Sequence, residues 1–378
     1  MARRPIPDTE WPALLEAIIT DTTGVFASVE ERLVHTVARE LRVLDLSENQ
    51  ARLDSLARLR LAGEAAAREV REETGPLAEK VISRALTSGE SFAEAWVRGL
   101  LGAVPGTKLV HGAVASALLV QDLHNRFDDV TKRILRWPED VYRDVISKTA
   151  PGLLLGMDTG RQAQARAWRE LRRRGVTGFI DKADRRWNLA TYVEMATRTA
   201  SHRAFTDSNL ATLGSFGIDL VTAVGGKGQC EACGRWVGQV MSQTGTGPRV
   251  LQAEHSTRDG VFVTVRVKGS VDDAIEDGFM HPNCRHTLVG YFPGLNNDTG
   301  EPWTQEAEDA QAGLRALEVE VRKAKRDVAG ALNDDEAKAA RRRVREMQAR
   351  IRDHIDETGE PRRREREQLN YGHRMGAR

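Results

Sequence analysis

Apolar side chains recur every three or four positions through the first third of the chain. In VEERLVHTVARELRVLDL the positions Val29, Leu33, Val37, Leu41 and Leu44 share one helical face. The segment ENQARLDSLARLRLAGEAAAREVREE is dense in strong helix formers and extends the pattern through Leu53, Leu56 and Leu59. Thr74-Gly75-Pro76 interrupts it, and PLAEKVISRALTSGESFAEAWVRGLLGAV resumes it. Alternating β-branched residues are sparse, so residues 1–150 are predicted to form an α-helical arm or bundle of roughly five or six helices. The most apolar window, Leu109 to Val120, is too short to cross a bilayer and is bounded by Lys108 and Asp122. It is expected to be a buried helix.

Around Leu153 the pattern changes. RQAQARAWRELRRRG predicts a charged helix that stops at Gly175, a residue suited to the left-handed conformation. A short strand and turn follow at Val176 to Lys182, and a helix starts near Asn188 with Tyr192, Met195 and Thr199 on one packing face. Glu194 and Arg198, four apart, are expected to form a surface ion pair worth a few tenths of a kcal/mol. From about Leu213 the text turns to strands. GIDLVTAVGG has the apolar run of a buried strand, and FVTVRVKG alternates as a half-buried one. Residues 151–300 therefore form a small α+β module.

Beyond Pro302 the helical period returns. Leu314, Leu317, Val321, Ala324 and Val328 make one narrow seam, and Ala337, Ala340, Val344, Met347 and Ile351 make a second. Asn333 breaks the phase between them as a helix cap. Residues 301–360 thus predict a coiled-coil-like hairpin ended at Gly359, and 361–378 a basic tail that orders against a partner. The expected fold class is α+β: an N-terminal all-α region, a central small α+β module with a candidate zinc knuckle, and a C-terminal helical hairpin.

Charge excludes a global electrostatic role. The 56 Lys and Arg nearly cancel the 55 Asp and Glu, so any nucleic-acid contact must be local. The opening MARRPIPDTEW lacks the apolar core of a signal peptide, so the expectation is a chain made in a cytoplasm and kept in solution or in an assembly.

The three cysteines carry the chemistry. They cannot pair completely among themselves, which argues against a disulfide framework. Cys230 and Cys233 form a CxxC knuckle in GKGQCEACGRW, and Cys284 lies in MHPNCRHTLVG between His281 and His286. If the two loops meet, Cys230, Cys233, Cys284 and one histidine would complete a tetrahedral structural zinc site. His281 is placed first as the fourth ligand, then His286, then His255 in QAEHSTRDG. Two other readings stay open: ordinary buried thiols, or a transient disulfide of the CxxC pair.

Two arginine clusters, with Arg172, Arg173 and Arg174 in one and Arg185 and Arg186 in the other, flank the short strand near Trp168 and Trp187. Basic groups beside aromatics could touch a nucleic-acid backbone; exposed helix faces use arginine in the same way. A nuclease could cast His255, Asn283 and His286 as its general base and metal site, although the adjacent histidine pair or Asp-His start of such sites is missing. No P-loop, Ser-His-Asp order or paired-carboxylate motif is present.

RRRGVTGFIDKADRRWNLATYVEMATRTA, then GQCEAC, then MHPNCRH, resembles the phage minor capsid protein 2 family, a relative of the Mu F-type head morphogenesis proteins. The resemblance rests on Gly175, Thr177, Gly178, Asp181, Arg186, Trp187, Tyr192, Val193, Glu194, Met195, Arg198 and Thr199. It resumes at Cys230, Cys233, His281, Pro282, Cys284, Arg285 and His286, and more loosely at Tyr371 to His373. Ala183-Asp184 stands where the family often has glycine. The resemblance implies a structural virion component inside the phage head, made in the host cytoplasm and not an enzyme. Its implied partners are the portal protein, the major capsid or scaffold protein, and packaged double-stranded DNA, with no membrane and a role in DNA packaging or delivery. A DNA-processing enzyme carried in the virion is the alternative.

Overall fold

The computed structural model of the protein describes residues 11–43, 49–104, 113–154, 162, 165–169, 179–180, 186–187, 189–224, 230–282, 284, 286–295 and 303–369. Long helices dominate: α1 (Trp11–Val43), α2 (Asn49–Thr74), α3 (Leu77–Leu101) and α4 (Ala113–Leu154). Fewer and longer helices thus replace the five or six expected among these residues. Asp21-Thr22-Thr23-Gly24 does not break α1, because the Thr23 hydroxyl donates to the Ile19 carbonyl at 2.7 Å and satisfies itself within the helix. The expectation for the apolar window is also corrected. Of its described residues, Leu118 is 68% exposed on α4, so apolar text there is not core.

The rest of the chain alternates. A two-residue pair, β1 (Phe179–Ile180) with β2 (Arg186–Trp187), precedes α5 (Leu189–Ser215). Then come β3 (Leu220–Val224), the single turn α6 (Glu231–Gly234), β4 (Val240–Ser242), β5 (Arg249–His255), β6 (Arg258–Ser270), α7 (Val271–Glu276) and β7 (Thr287–Gly290). Two long helices, α8 (Gln305–Ala329) and α9 (Asp334–Thr358), follow, and a 3-10 turn at Arg364–Glu367 is the last described element. The fold is α+β, with a helical N-terminal part, a small mixed sheet in the middle and a C-terminal helical hairpin.

The chain divides into two compact units, each assembled from separate stretches. The first draws on Met1–Ile18, Ala78–Leu123 and Met195–Ala312. Its sheet has the order β5-β6-β4-β3-β7, antiparallel except for β4 beside β6. Helices α3 and α5 cover it. Trp96 donates its indole N–H to the Gly290 carbonyl at 2.9 Å, and the Asn209 amide donates to the Leu288 carbonyl at 2.7 Å. Both bonds hold helices onto β7. The α3–α5 crossing is close: Phe92 and Phe205 stack at 5.5 Å, and Gly89 lies against the Phe205 backbone. Along β6 the alternation expected from the sequence is present, with Val265 and Val267 buried and Thr264 and Arg266 exposed.

The second unit draws on Ile19–Leu77, His124–Glu194 and Gly313–Arg378. One cluster joins Val34, Val37, Leu41, Leu59, Tyr142, Val145 and Ala329 around Trp168. Trp168 is fully buried and donates to the Gly330 carbonyl at 2.7 Å, so it is a core residue and not a platform for nucleic acid. A second cluster, Leu314, Val321, Met347 and Ile351, is the seam of the hairpin predicted from sequence. Asn333 caps α9 by accepting the Glu336 amide at 2.9 Å, and Gly359 ends the helix at φ 72°.

Two expectations fail in this region. Arg198 does not lie on the surface, as the expected Glu194–Arg198 surface pair required, and both residues take partners distant in sequence. Arg198 is 3% exposed and forms two hydrogen bonds with Glu16, within the first unit. Glu194 receives Arg366, within the second. Part of the expected tail, up to residue 369, packs within the second unit. Arg366 and Glu367 are buried, with Glu367 bonded to Arg362 and Gln348. A buried carboxylate draws arginine from any distance along the chain, because an unpaired charge there is costly.

Candidate metal centre

Register brings the two cysteine loops together. Strands β3 and β7 are antiparallel neighbours, and Val224 at the end of one pairs with Thr287 at the start of the other. The segment leaving β3 and the segment entering β7 therefore lie at one end of the sheet. Cys230 stands at the N-cap of α6, which places Cys233 one turn later. The Gly234 amide closes this turn on the Cys230 carbonyl at 2.8 Å. Gly234 is needed for closeness: a Cβ there would sit 2.3 Å from the Trp303 Cβ.

The opposite loop is set by α7. Ser270 and Asp273 form a reciprocal capping box, and the amides of Ser270 and Gly247 hold the Asp273 carboxyl below its usual range. After α7 the chain turns at Gly278 and at Met280, whose φ of 58° is the one positive value in a non-glycine among the described residues. The Cys284 amide then donates to the His281 carbonyl at 2.9 Å. Trp236 and Arg235, just past the CxxC turn, reach Asp277 at 2.8 and 3.4 Å and clasp one loop to the other.

Five donor atoms converge there. Cys230 Sγ is 3.0 Å from His281 Nε2, Cys233 Sγ is 3.8 Å from Cys284 Sγ, and Cys284 Sγ is 3.3 Å from His286 Nδ1. They fall into two groups, Cys230–Cys233–His281 and Cys233–Cys284–His286, with the donor atoms of each within 4.8 Å of one another. Cys233, Cys284 and His286 are buried, Cys230 is half-buried, and His281 lies at the solvent edge. His281 Nδ1 faces the Pro282 carbonyl at 2.8 Å, which assigns the proton to Nδ1 and leaves Nε2 as a lone-pair donor toward the sulfurs.

The electrostatics separate the thiols. The bond between Cys233 and Cys284 favours the proton on Cys233 and the thiolate on Cys284, where the His286 and Met280 amides add support. Burial pushes Cys230 up, against the Cys233 amide. The neighbouring Cys233 raises His281. Three sulfurs and two imidazoles are soft and borderline donors, which could hold an ion such as zinc and suit a hard oxygen-seeking ion poorly.

His255 is elsewhere. It is buried at the end of β5, where Nδ1 accepts the Thr257 amide at 3.2 Å, and it belongs to neither donor group. Asn283 lies outside the described residues, as do Arg172, Arg173, Arg174 and Arg185. Arg186 is placed in β2, its backbone opposite Ile180. Sequence reading missed Trp236, Asp277, Trp303 and Glu308. The Trp303 indole donates to Glu308 at 2.8 Å, and the same carboxylate oxygen accepts the Glu231 amide of the CxxC turn at 3.2 Å. The one available signal was Trp236, three residues past the CxxC pair, which says nothing about what its indole reaches.

No curated protein and no solved structure matches the chain. The family model described as phage minor capsid protein 2 matches residues 11–356, most of the length, and includes both cysteine loops. The chain therefore belongs to the phage minor capsid protein 2 family.

Proposed function

We propose that this structural phage head protein sits inside the head, docked on the portal, and aids DNA packaging or delivery without catalysis. The family match over residues 11–356 carries the head assignment, and the helical surface supports the docking. Leu53 and Leu61 lie eight residues apart on α2, hence on one face, and are 60% and 63% exposed. Leu118 on α4 is a further exposed apolar position. Apolar residues spaced along a helix suit burial against a protein partner, here the portal or the capsid and scaffold proteins.

Contact with packaged double-stranded DNA falls to local arginines, since the net charge is only +1. Arg341, Arg342 and Arg345 are exposed on one stretch of α9, where they can meet phosphates without reading sequence. Electron microscopy of procapsids and filled heads tests the placement. Density for α2 and α4 against the portal ring is expected. Density confined to the outer shell, or none in purified particles, overturns it.

A further inference from the structure

We propose that Cys230, Cys233, Cys284 and His281 bind one zinc ion in a closed, structural tetrahedral site, with His286 supporting the Cys284 thiolate from outside. This goes beyond the role in the head and holds whatever the chain docks on.

Two separations among the donors are close to those on the ion. Two thiolates, each about 2.3 Å from a tetrahedral zinc, stand about 3.8 Å apart. Cys233 and Cys284, one from each loop, have their sulfurs 3.8 Å apart. A sulfur and an imidazole nitrogen on the same ion stand about 3.5 Å apart. The Cys230–His281 separation of 3.0 Å is within a small side-chain shift of that. Cys233 is common to both donor groups, while Cys284 shares no group with Cys230 or His281, so binding one ion beside the Cys233 sulfur draws the Cys284 sulfur in toward them.

Five donors compete for four positions, and the bonds at the other ring nitrogens choose. His281 offers Nε2 with Nδ1 spent on the Pro282 carbonyl, the arrangement by which a metal-binding histidine is held in its tautomer. His286 meets Cys284 through Nδ1 at 3.3 Å, a distance at which an N–H supports a thiolate. Three thiolates and one imidazole fill the coordination shell and leave no place for a reacting water, so the site fastens the loops and does not activate a substrate. With the metal bound, the CxxC turn and the His281–Cys284 turn become one unit, onto which Trp303 and Glu308 fold.

The test uses the full chain produced with zinc in the medium. Elemental analysis is expected to give about one zinc per chain, and X-ray absorption a shell of three sulfurs and one nitrogen. Cobalt exchanged for zinc should show tetrahedral bands with thiolate charge transfer. His281→Ala and Cys284→Ser should each weaken zinc retention against a chelator at least tenfold, while His286→Ala keeps the sulfur-rich spectrum. Absence of zinc from wild-type protein, or a shell of nitrogen and oxygen alone, overturns the site. A full spectrum in His281→Ala with loss in His286→Ala overturns the ligand assignment. The wild-type spectra stand even if a variant fails to fold.

Discussion

Two glycines on α3 should respond oppositely to the same methyl group. At Gly89 a Cβ would lie 2.3 Å from the Phe205 carbonyl oxygen, 3.0 Å from the Ser208 Cβ and 3.1 Å from the Asn209 amide nitrogen. Ordinary carbon contacts are about 3.5–4.0 Å, so Gly89→Ala forces α3 and α5 apart by roughly 1 Å. The first atom met is backbone and cannot rotate away. Overpacking of this kind costs about 1–3 kcal/mol. The separation also stretches the bond from the Ser208 hydroxyl to the Leu86 carbonyl, now 2.6 Å, for about 1 kcal/mol more. Helix propensity returns about 1 kcal/mol. The net expectation is a loss of about 2 kcal/mol. Gly99, on the same helix, is exposed with nothing within 4 Å of its Cβ position, so Gly99→Ala should gain about 0.5–1 kcal/mol. Urea unfolding followed by circular dichroism measures both. Equal midpoints for the two variants, or a more stable Gly89→Ala, would refute the close crossing.

Other expectations follow from buried groups. Arg366 is 10% exposed and lies 2.8 Å from Glu194 and 3.7 Å from Glu318, itself 5% exposed; Arg366→Ala takes the bridging cation from these carboxylates and should cost about 3 kcal/mol in chemical denaturation, whereas a change under 0.5 kcal/mol would sink the pairing. Trp168→Phe leaves the Gly330 carbonyl without its buried donor and should destabilise the second unit by about 1–3 kcal/mol, read from the urea midpoint; an unchanged midpoint counts against that bond. Burial pushes the His202 imidazole from the usual 6.5 to about 4. Between those values the unfolded chain takes a proton that the folded chain refuses, so stability is intact above pH 6.5 and falls as pH drops toward 4, by up to about 3 kcal/mol. His202→Gln should flatten that part of the pH profile relative to wild type, and identical slopes would show that His202 is not the cause.

Much of the fold was written locally. The α8 and α9 seams, the Asn333 cap, the Gly359 stop and the alternation along β6 each depend on residues a few positions apart, where period and backbone preference act directly. The cysteine spacings named the sulfurs and histidines in the same way. Local rules also misled where tertiary contacts overrode them. Arg198, expected on the surface, is 3% exposed and reaches Glu16, far away in sequence.

The sequence alone determined the long helical stretches, the strands at Leu220–Val224 and Arg258–Ser270, and which side chains could donate to a metal. Only the tertiary structure decided that the two loops share one end of the sheet, because that depends on β3 pairing with β7 in one register. A strand's side-chain pattern tells which face is buried, but not which strand lies beside it. The same reason explains why Trp303 covers the CxxC turn and why Arg366 folds back onto Glu318. Contacts between residues far apart in the chain are chosen by packing and charge burial in the assembled core, and no local spacing records that choice.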